Sequence, residues 1–171
     1  MKTLVALLGR SPGTVTGTFY ALQNDYGTMD RIITLTTNDR PAADDCERLI
    51  REEIERWQDE QEEAIGERPT GPVFVLRRIF ARDLEDEAST KEFQLQIGKI
   101  LQEAIEQGDE VYLGLAGGRK SMAALAALAA PFVGAEKIKM LHLYVTNRDI
   151  EDCGEIDKLQ SLECRDLRSR V

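Results

Sequence analysis

Five short apolar segments alternate along the chain with four helical patterns, and this alternation constrains the fold more than any other feature. The predicted strands are residues 3–8, 31–37, 73–76, 110–116 and 138–145. Strands that alternate with helices form a mainly parallel sheet with helices on both faces, because each helix buries its apolar stripe against the sheet. We expect an α/β, Rossmann-like three-layer sandwich with strand order 3-2-1-4-5.

The helical segments differ in how much of their surface is apolar. Residues 42–65 are highly charged but place four apolar side chains at helical spacing, which predicts an amphipathic helix. Residues 85–107 repeat this pattern and stop before Gly108, a suitable C-terminal residue. Residues 122–132 are almost wholly apolar and rich in alanine, which predicts a buried helix packed closely on the sheet.

The length of 171 residues suits one domain. We expect a Rossmann-like domain over residues 1–148, and residues 149–171 form a charged tail with room for one short helix. The net charge of −9 disfavours binding to long nucleic acids, which usually bind a basic surface. A small anionic ligand remains compatible with this charge if a few cations converge locally.

The residue inventory excludes several kinds of site. The three cysteines form no Cys-x-x-Cys pair, which is typical of reduced thiols in a cytoplasmic protein. His142 is the one histidine, so a histidine triad or a histidine-rich zinc site is not expected, and we predict neither a metal nor a cofactor. No apolar stretch approaches the roughly 18 residues of a membrane span.

Two glycine-containing loops follow the first and fourth predicted strands. They are residues 9–13, Gly-Arg-Ser-Pro-Gly, and residues 117–121, Gly-Gly-Arg-Lys-Ser. A sheet of this order binds ligands where the strand order reverses, between strands one and four. Each loop leads into a helix N-terminus, where amides and the helix dipole favour a phosphate. We therefore expect both loops to form one phosphate-binding site.

Side chains in and near these loops are candidate ligand contacts. Arginine can hold a phosphate through two hydrogen bonds, lysine supplies a compact charge, and glycine lets the backbone come close. Thr37 and Asn38 end the second strand at the same edge and could contact a base or ribose, although ordinary strand-end capping explains them equally well. The predicted ligand-binding residues are Gly9, Arg10, Pro12, Gly13, Thr37, Asn38, Gly117, Gly118, Arg119 and Ser121.

Simpler interpretations of both loops stay open. Ser11 could be only the N-cap of a helix whose first residue is Pro12, and Gly117-Gly118 could be only a tight turn. The second loop is close to the phosphate loop of nucleoside triphosphatases, but Arg119 stands where that motif needs glycine. The dinucleotide-binding pattern Gly-x-Gly-x-x-Gly does not follow the first strand.

The segment 7–16, together with the Gly-Gly-Arg-Lys-Ser-Met segment before the alanine-rich helix, resembles the CRISPR-associated Rossmann-fold (CARF) family. The resemblance covers roughly the first 145 residues. It implies a two-fold homodimer that holds a cyclic oligoadenylate across its axis. The family serine falls on Ser11, and the family lysine and its arginine neighbour fall on Lys120 and Arg119. Arg10 departs from the threonine often found there.

The short chain favours one branch of that family. About 25 residues follow the last predicted strand, too few for a second domain. The resemblance then implies a metal-independent ring nuclease, with Ser11 and Lys120 as catalytic residues. Its expected reaction is cleavage of cyclic tetra-adenylate into linear di-adenylates with 2′,3′-cyclic phosphate ends, which ends type III CRISPR antiviral signalling. A non-catalytic sensor or sponge, or an unrelated nucleotide-binding protein of this fold, remains an alternative.

Overall fold

A five-stranded parallel sheet lies at the centre of the computed structural model, which describes residues 1–145. The elements in chain order are β1 (Lys2–Leu7), α1 (Gly13–Tyr26), β2 (Arg31–Thr36), α2 (Arg40–Ile65), β3 (Val73–Arg78), α3 (Glu87–Glu106), β4 (Glu110–Gly114), α4 (Lys120–Gly134), a 3-10 turn (Ala135–Lys137) and β5 (Ile138–Leu141). The strand order is 3-2-1-4-5, and every neighbouring pair is parallel. The predicted α/β Rossmann-like architecture and strand order are confirmed.

Alternate side chains of the strands enter two separate hydrophobic cores, because successive residues of a strand point to opposite faces. On one face, Leu4, Ile32 and Tyr112 pack with α1 and α2. On the other face, Val5 and Leu113 pack with α3 and α4. Helices therefore cover both faces of the sheet, as the sequence predicts.

The amphipathic prediction for α2 is confirmed, because its apolar side chains at helical spacing are all buried. The prediction that residues 122–132 form a buried helix is wrong for one side of α4. Met122, Ala126 and Ala130 are buried, but Leu128 and Phe132 are 60% and 89% exposed. Small alanines allow close packing on one stripe of a helix, and an apolar composition does not indicate that the opposite stripe is uncovered.

Several boundaries differ from the predicted ones. Helix α1 begins at Gly13 with Pro12 at its N-cap, so the prediction of Ser11 as N-cap and Pro12 as first residue is one position too early. Strand β5 ends at Leu141, four residues before its predicted end at 145. The predicted tail lies outside the described residues. Within residues 1–145, every helix is too short or too polar to cross a membrane.

A reciprocal capping box fixes the start of α3 and so the end of the loop that precedes it. The carboxylate of Asp86 accepts a hydrogen bond of 2.7 Å from the Ser89 amide, and the Ser89 hydroxyl accepts one of 3.2 Å from the Asp86 amide. Hydrogen bonds from the Ser89 side chain and backbone lower the pKa of Asp86 below its ordinary value of 3.8. At the other end, Gly108 has a φ of +77° and follows the C-cap residue Gln107.

Replacing Asp86 by alanine should lower the urea midpoint of unfolding at pH 7, because the first turn of α3 loses its cap. The pKa of Asp86 is lower in the folded state, so its stabilisation is fully present above pH 3.8 and is lost as pH falls through the folded value. Urea titrations from pH 7 to pH 3 test this. Glu85→Ala, at an exposed neighbouring carboxylate, is the control. A difference between the two variants that is unchanged at pH 3 would contradict the assignment.

Candidate functional site

The loops that follow β1 and β4 touch through their backbones at the carboxyl edge of the sheet. A methyl group placed on Gly9 would lie 3.0 Å from the Cα of Gly118. One placed on Gly117 would lie 1.8 Å from the carbonyl oxygen of Leu7, which leaves no room for any side chain. Gly118 has a φ of +73°, a conformation that favours glycine. The predicted meeting of the two loops is therefore present in the fold.

Both predicted catalytic residues stand where a helix begins at this edge. Ser11 is half-buried, and its carbonyl accepts hydrogen bonds from the amide (3.2 Å) and the hydroxyl (2.8 Å) of Thr14. Lys120 is the exposed first residue of α4. The first amides of each helix lack intrahelical acceptors, so they give both positions a partial positive charge.

The remaining loop residues surround these two. Gly9 and Gly13 are half-buried and Pro12 is buried, whereas Gly118 and Ser121 are exposed. The carbonyl of Gly9 also accepts a hydrogen bond of 3.6 Å from the thiol of Cys46 on α2, and this cysteine is fully buried. The first loop is thus held by the sheet, by the second loop and by α2.

The three cations of the loops have different environments. Arg10 and Lys120 are exposed, and neither forms an ion pair with any residue in the range 1–145. The guanidinium of Arg119, by contrast, hydrogen-bonds the carboxylate of Asp83, in the loop between β3 and α3. Arg119 therefore bridges two loops, and its charge is shared with a carboxylate. Sequence reasoning missed Asp83 because 36 residues separate it from Arg119.

The loop between β3 and α3 also lies at this edge of the sheet, and its residues were not predicted to belong to the site. Thr37 and Asn38 follow β2 and are half-buried. The backbone amide of Asn38 donates a hydrogen bond of 2.8 Å to the carbonyl of Ala81, so this backbone group is already bonded within the protein. Phe80, next to Ala81, is 89% exposed. The signal in the sequence was this one aromatic residue among the arginines and carboxylates of residues 77–87.

The chemistry of the edge rests on hydroxyl, ammonium, guanidinium and amide groups. Among residues 1–145, no three histidine, cysteine, aspartate or glutamate side chains form a group able to hold a metal ion. His142 is exposed and follows β5. The arrangement is suited to binding phosphate and stabilising negative charge on its oxygens.

Gly117→Ala should strongly destabilise the protein or separate the two loops, because its Cβ would overlap the Leu7 carbonyl. Gly98→Ala, inside α3 with no atom within 4 Å of the added methyl, should raise stability by about 0.5–1 kcal/mol. Urea unfolding of the two variants measures the contrast. Equal stability of the Gly117 and Gly98 variants would show that the loops are not in contact.

Two solved structures are similar in fold. Can2 from Sulfobacillus thermosulfidooxidans, in complex with cyclic tetra-adenylate, has a TM-score of 0.53 and 15% identity, with 84% of this chain and 32% of that chain covered. Enterococcus italicus Csm6, bound to cyclic hexa-2′-fluoro-hexa-dAMP, has a TM-score of 0.56 and 13% identity, with 93% and 37% covered. The present chain thus spans about a third of either protein. No match was found among curated proteins.

The match that carries family membership is to a family model rather than to a single protein. The model of the CRISPR-associated protein NE0113 family (Cas_NE0113) matches residues 11–164, a range that contains Ser11, Lys120 and the four strands β2, β3, β4 and β5. It also includes part of the segment that the sequence analysis assigned to a tail. The resemblance to CRISPR-associated Rossmann-fold proteins is confirmed, and the chain belongs to the CRISPR-associated NE0113 family.

Proposed function

We propose that the edge formed by residues 9–13 and 117–121 binds a cyclic oligoadenylate, with cyclic tetra-adenylate as the expected ring, and cleaves it. The observation that carries the proposal is the backbone contact between Gly9 and Gly118, which brings two helix N-termini, Ser11 and Lys120 to one edge. Membership of a CRISPR-associated family supports the ligand class, as do the ligands named for the two similar structures.

Local charge favours such a ligand although the chain as a whole is negative, at −9. Interactions between exposed charges fade beyond about 8 Å at physiological ionic strength. A phosphate near Ser11 or Lys120 therefore responds mainly to nearby groups. These include the ammonium of Lys120, the guanidinium of Arg10 and two helix N-termini, each equivalent to about half a positive charge. The carboxylate of Asp83 is paired with the guanidinium of Arg119.

The proposed reaction uses the ring's own nucleophile. A ribose 2′-oxygen attacks the adjacent phosphorus and loses its proton, the bond from phosphorus to the 5′-oxygen breaks, and the 5′-oxygen takes up a proton. Two such cuts give linear di-adenylates that end in 2′,3′-cyclic phosphates. Holding the 2′-oxygen in line with the leaving oxygen can lower the barrier by roughly 7–11 kcal/mol in the best cases.

In this mechanism the side chains position and stabilise rather than attack. Ser11 hydrogen-bonds the ribose or the scissile phosphate, and Lys120 stabilises the charge that grows on the phosphate oxygens. Serine needs an adjacent base to act as a nucleophile, and in this proposal the attacking group is the ribose 2′-oxygen rather than Ser11. The activity would end type III CRISPR signalling in the cytoplasm.

Wild-type protein incubated with cyclic tetra-adenylate and a chelator should give linear di-adenylates with cyclic phosphate ends, resolved by mass spectrometry. Lys120→Ala and Ser11→Ala should each slow single-turnover cleavage by about 100-fold or more, the scale of losing one electrostatic stabiliser. Lys137→Ala is the matched control, because this exposed lysine immediately precedes β5 at the opposite edge and should leave the rate unchanged.

Unaltered ring after long incubation with excess protein would contradict the enzymatic proposal. Tight binding without turnover would then select the sensor or sponge, and preference for a mononucleotide would select an unrelated nucleotide-binding protein. Equal loss of activity in the Lys120 and Lys137 variants would show that the second loop has no specific role in cleavage.

We further propose that two copies of the chain share one ring. Each copy offers one such edge, with two helix N-termini, whereas a cyclic tetra-adenylate carries four phosphates. Isothermal titration should therefore give one ring bound per two chains, and sedimentation should show a homodimer. A stoichiometry of one ring per chain on a monomer would contradict this arrangement.

A further inference from the structure

The loop between β3 and α3 is held in place by its neighbours on both sides. The amide of Ile79 donates to the carbonyl of Thr36 (3.0 Å), and the amide of Phe80 donates to the carboxylate of Glu92 (2.6 Å). The carbonyl of Ala81 accepts from Asn38, as described above. These bonds fix the backbone on both sides of the Phe80 side chain.

The Arg119–Asp83 ion pair joins this loop directly to the phosphate-binding loop after β4. Strand β3 lies three strand spacings from β4, about 14 Å. The arginine side chain reaches across part of that distance and ties the two loops at the carboxyl edge of the sheet. We regard Arg119 and Asp83 as positioning residues that hold the β3–α3 loop beside the site.

Phe80 presents its ring to solvent from this fixed backbone, with 89% of the residue exposed. It also lies next to the segment Thr37–Asn38, because its neighbour Ala81 is bonded to Asn38. An aromatic ring on a fixed backbone loses little conformational entropy when a flat ligand stacks on it, which makes it a suitable platform for a nucleobase.

We propose that Phe80 stacks on an adenine base of the bound ring, while residues 9–13 and 117–121 hold the phosphates. This inference rests on the proposed function and specifies how the same site recognises the bases. Phe80 then contributes affinity for the base, and the loops that follow β1 and β4 contribute affinity for the backbone of the ring.

The test uses two equally exposed phenylalanines. Phe80→Ala should weaken the affinity for cyclic tetra-adenylate by about 5- to 150-fold, the range found when a base loses an aromatic partner. Phe132→Ala removes the same side chain, also 89% exposed, from the far end of α4 and should leave affinity unchanged. Phe80→Trp should retain binding, and ring binding should quench the fluorescence of the new tryptophan but not that of a Phe132→Trp variant.

Each of the other possible outcomes contradicts the proposal, and the outcomes can be told apart. Wild-type affinity of a folded Phe80→Ala variant overturns the stacking role and leaves the proposed function intact. An equal loss in the Phe80 and Phe132 variants, or a loss of dimer without ligand in Phe80→Ala, assigns Phe80 to a protein contact instead. Failure of the wild-type protein to bind any cyclic oligoadenylate overturns both the proposed function and this inference.

Discussion

The close approach of Gly117 to the Leu7 carbonyl is the constraint on which the geometry of the candidate site depends. Strands β1 and β4 are neighbours in register, from Lys2 opposite Glu110 to Ala6 opposite Gly114, so their loops leave the sheet side by side. With no side chain at position 117 the second loop can lie directly on the end of β1. The positions of two helix N-termini then follow from backbone packing alone.

This packing brings several positively charged groups to one edge of an acidic protein. The two helix dipoles and the cations of the loops all lie at the carboxyl edge, and Asp83 balances one of those cations. Because helix dipoles act only over the first turn, their effect is confined to groups that reach the loops. A small phosphate-containing ligand could reach them, whereas the net negative charge of the chain disfavours a long polyanion.

The sequence was sufficient for the sheet, because periodicity and β-branched composition report directly on strands and on the helices between them. The pairing of the two glycine loops was also predictable, since the topology of a parallel sheet brings its switch-point loops together. The exposed apolar side of α4 could not be predicted, because Leu128 is as apolar as a core residue. The Arg119–Asp83 ion pair was equally unpredictable, since a contact between residues 36 positions apart depends on the conformation of the β3–α3 loop.

Because glycine backbones hold the site together, the residues that fix its fold differ from the residues that carry its charged groups. Arg10 and Lys120 are exposed and lie outside both hydrophobic cores, so exchanging them removes little of the packing that stabilises the sheet. Mutational drift can therefore alter the polar chemistry of this edge while the scaffold survives each step. Divergence in ligand or activity within one lineage is the evolutionary behaviour that such a scaffold permits.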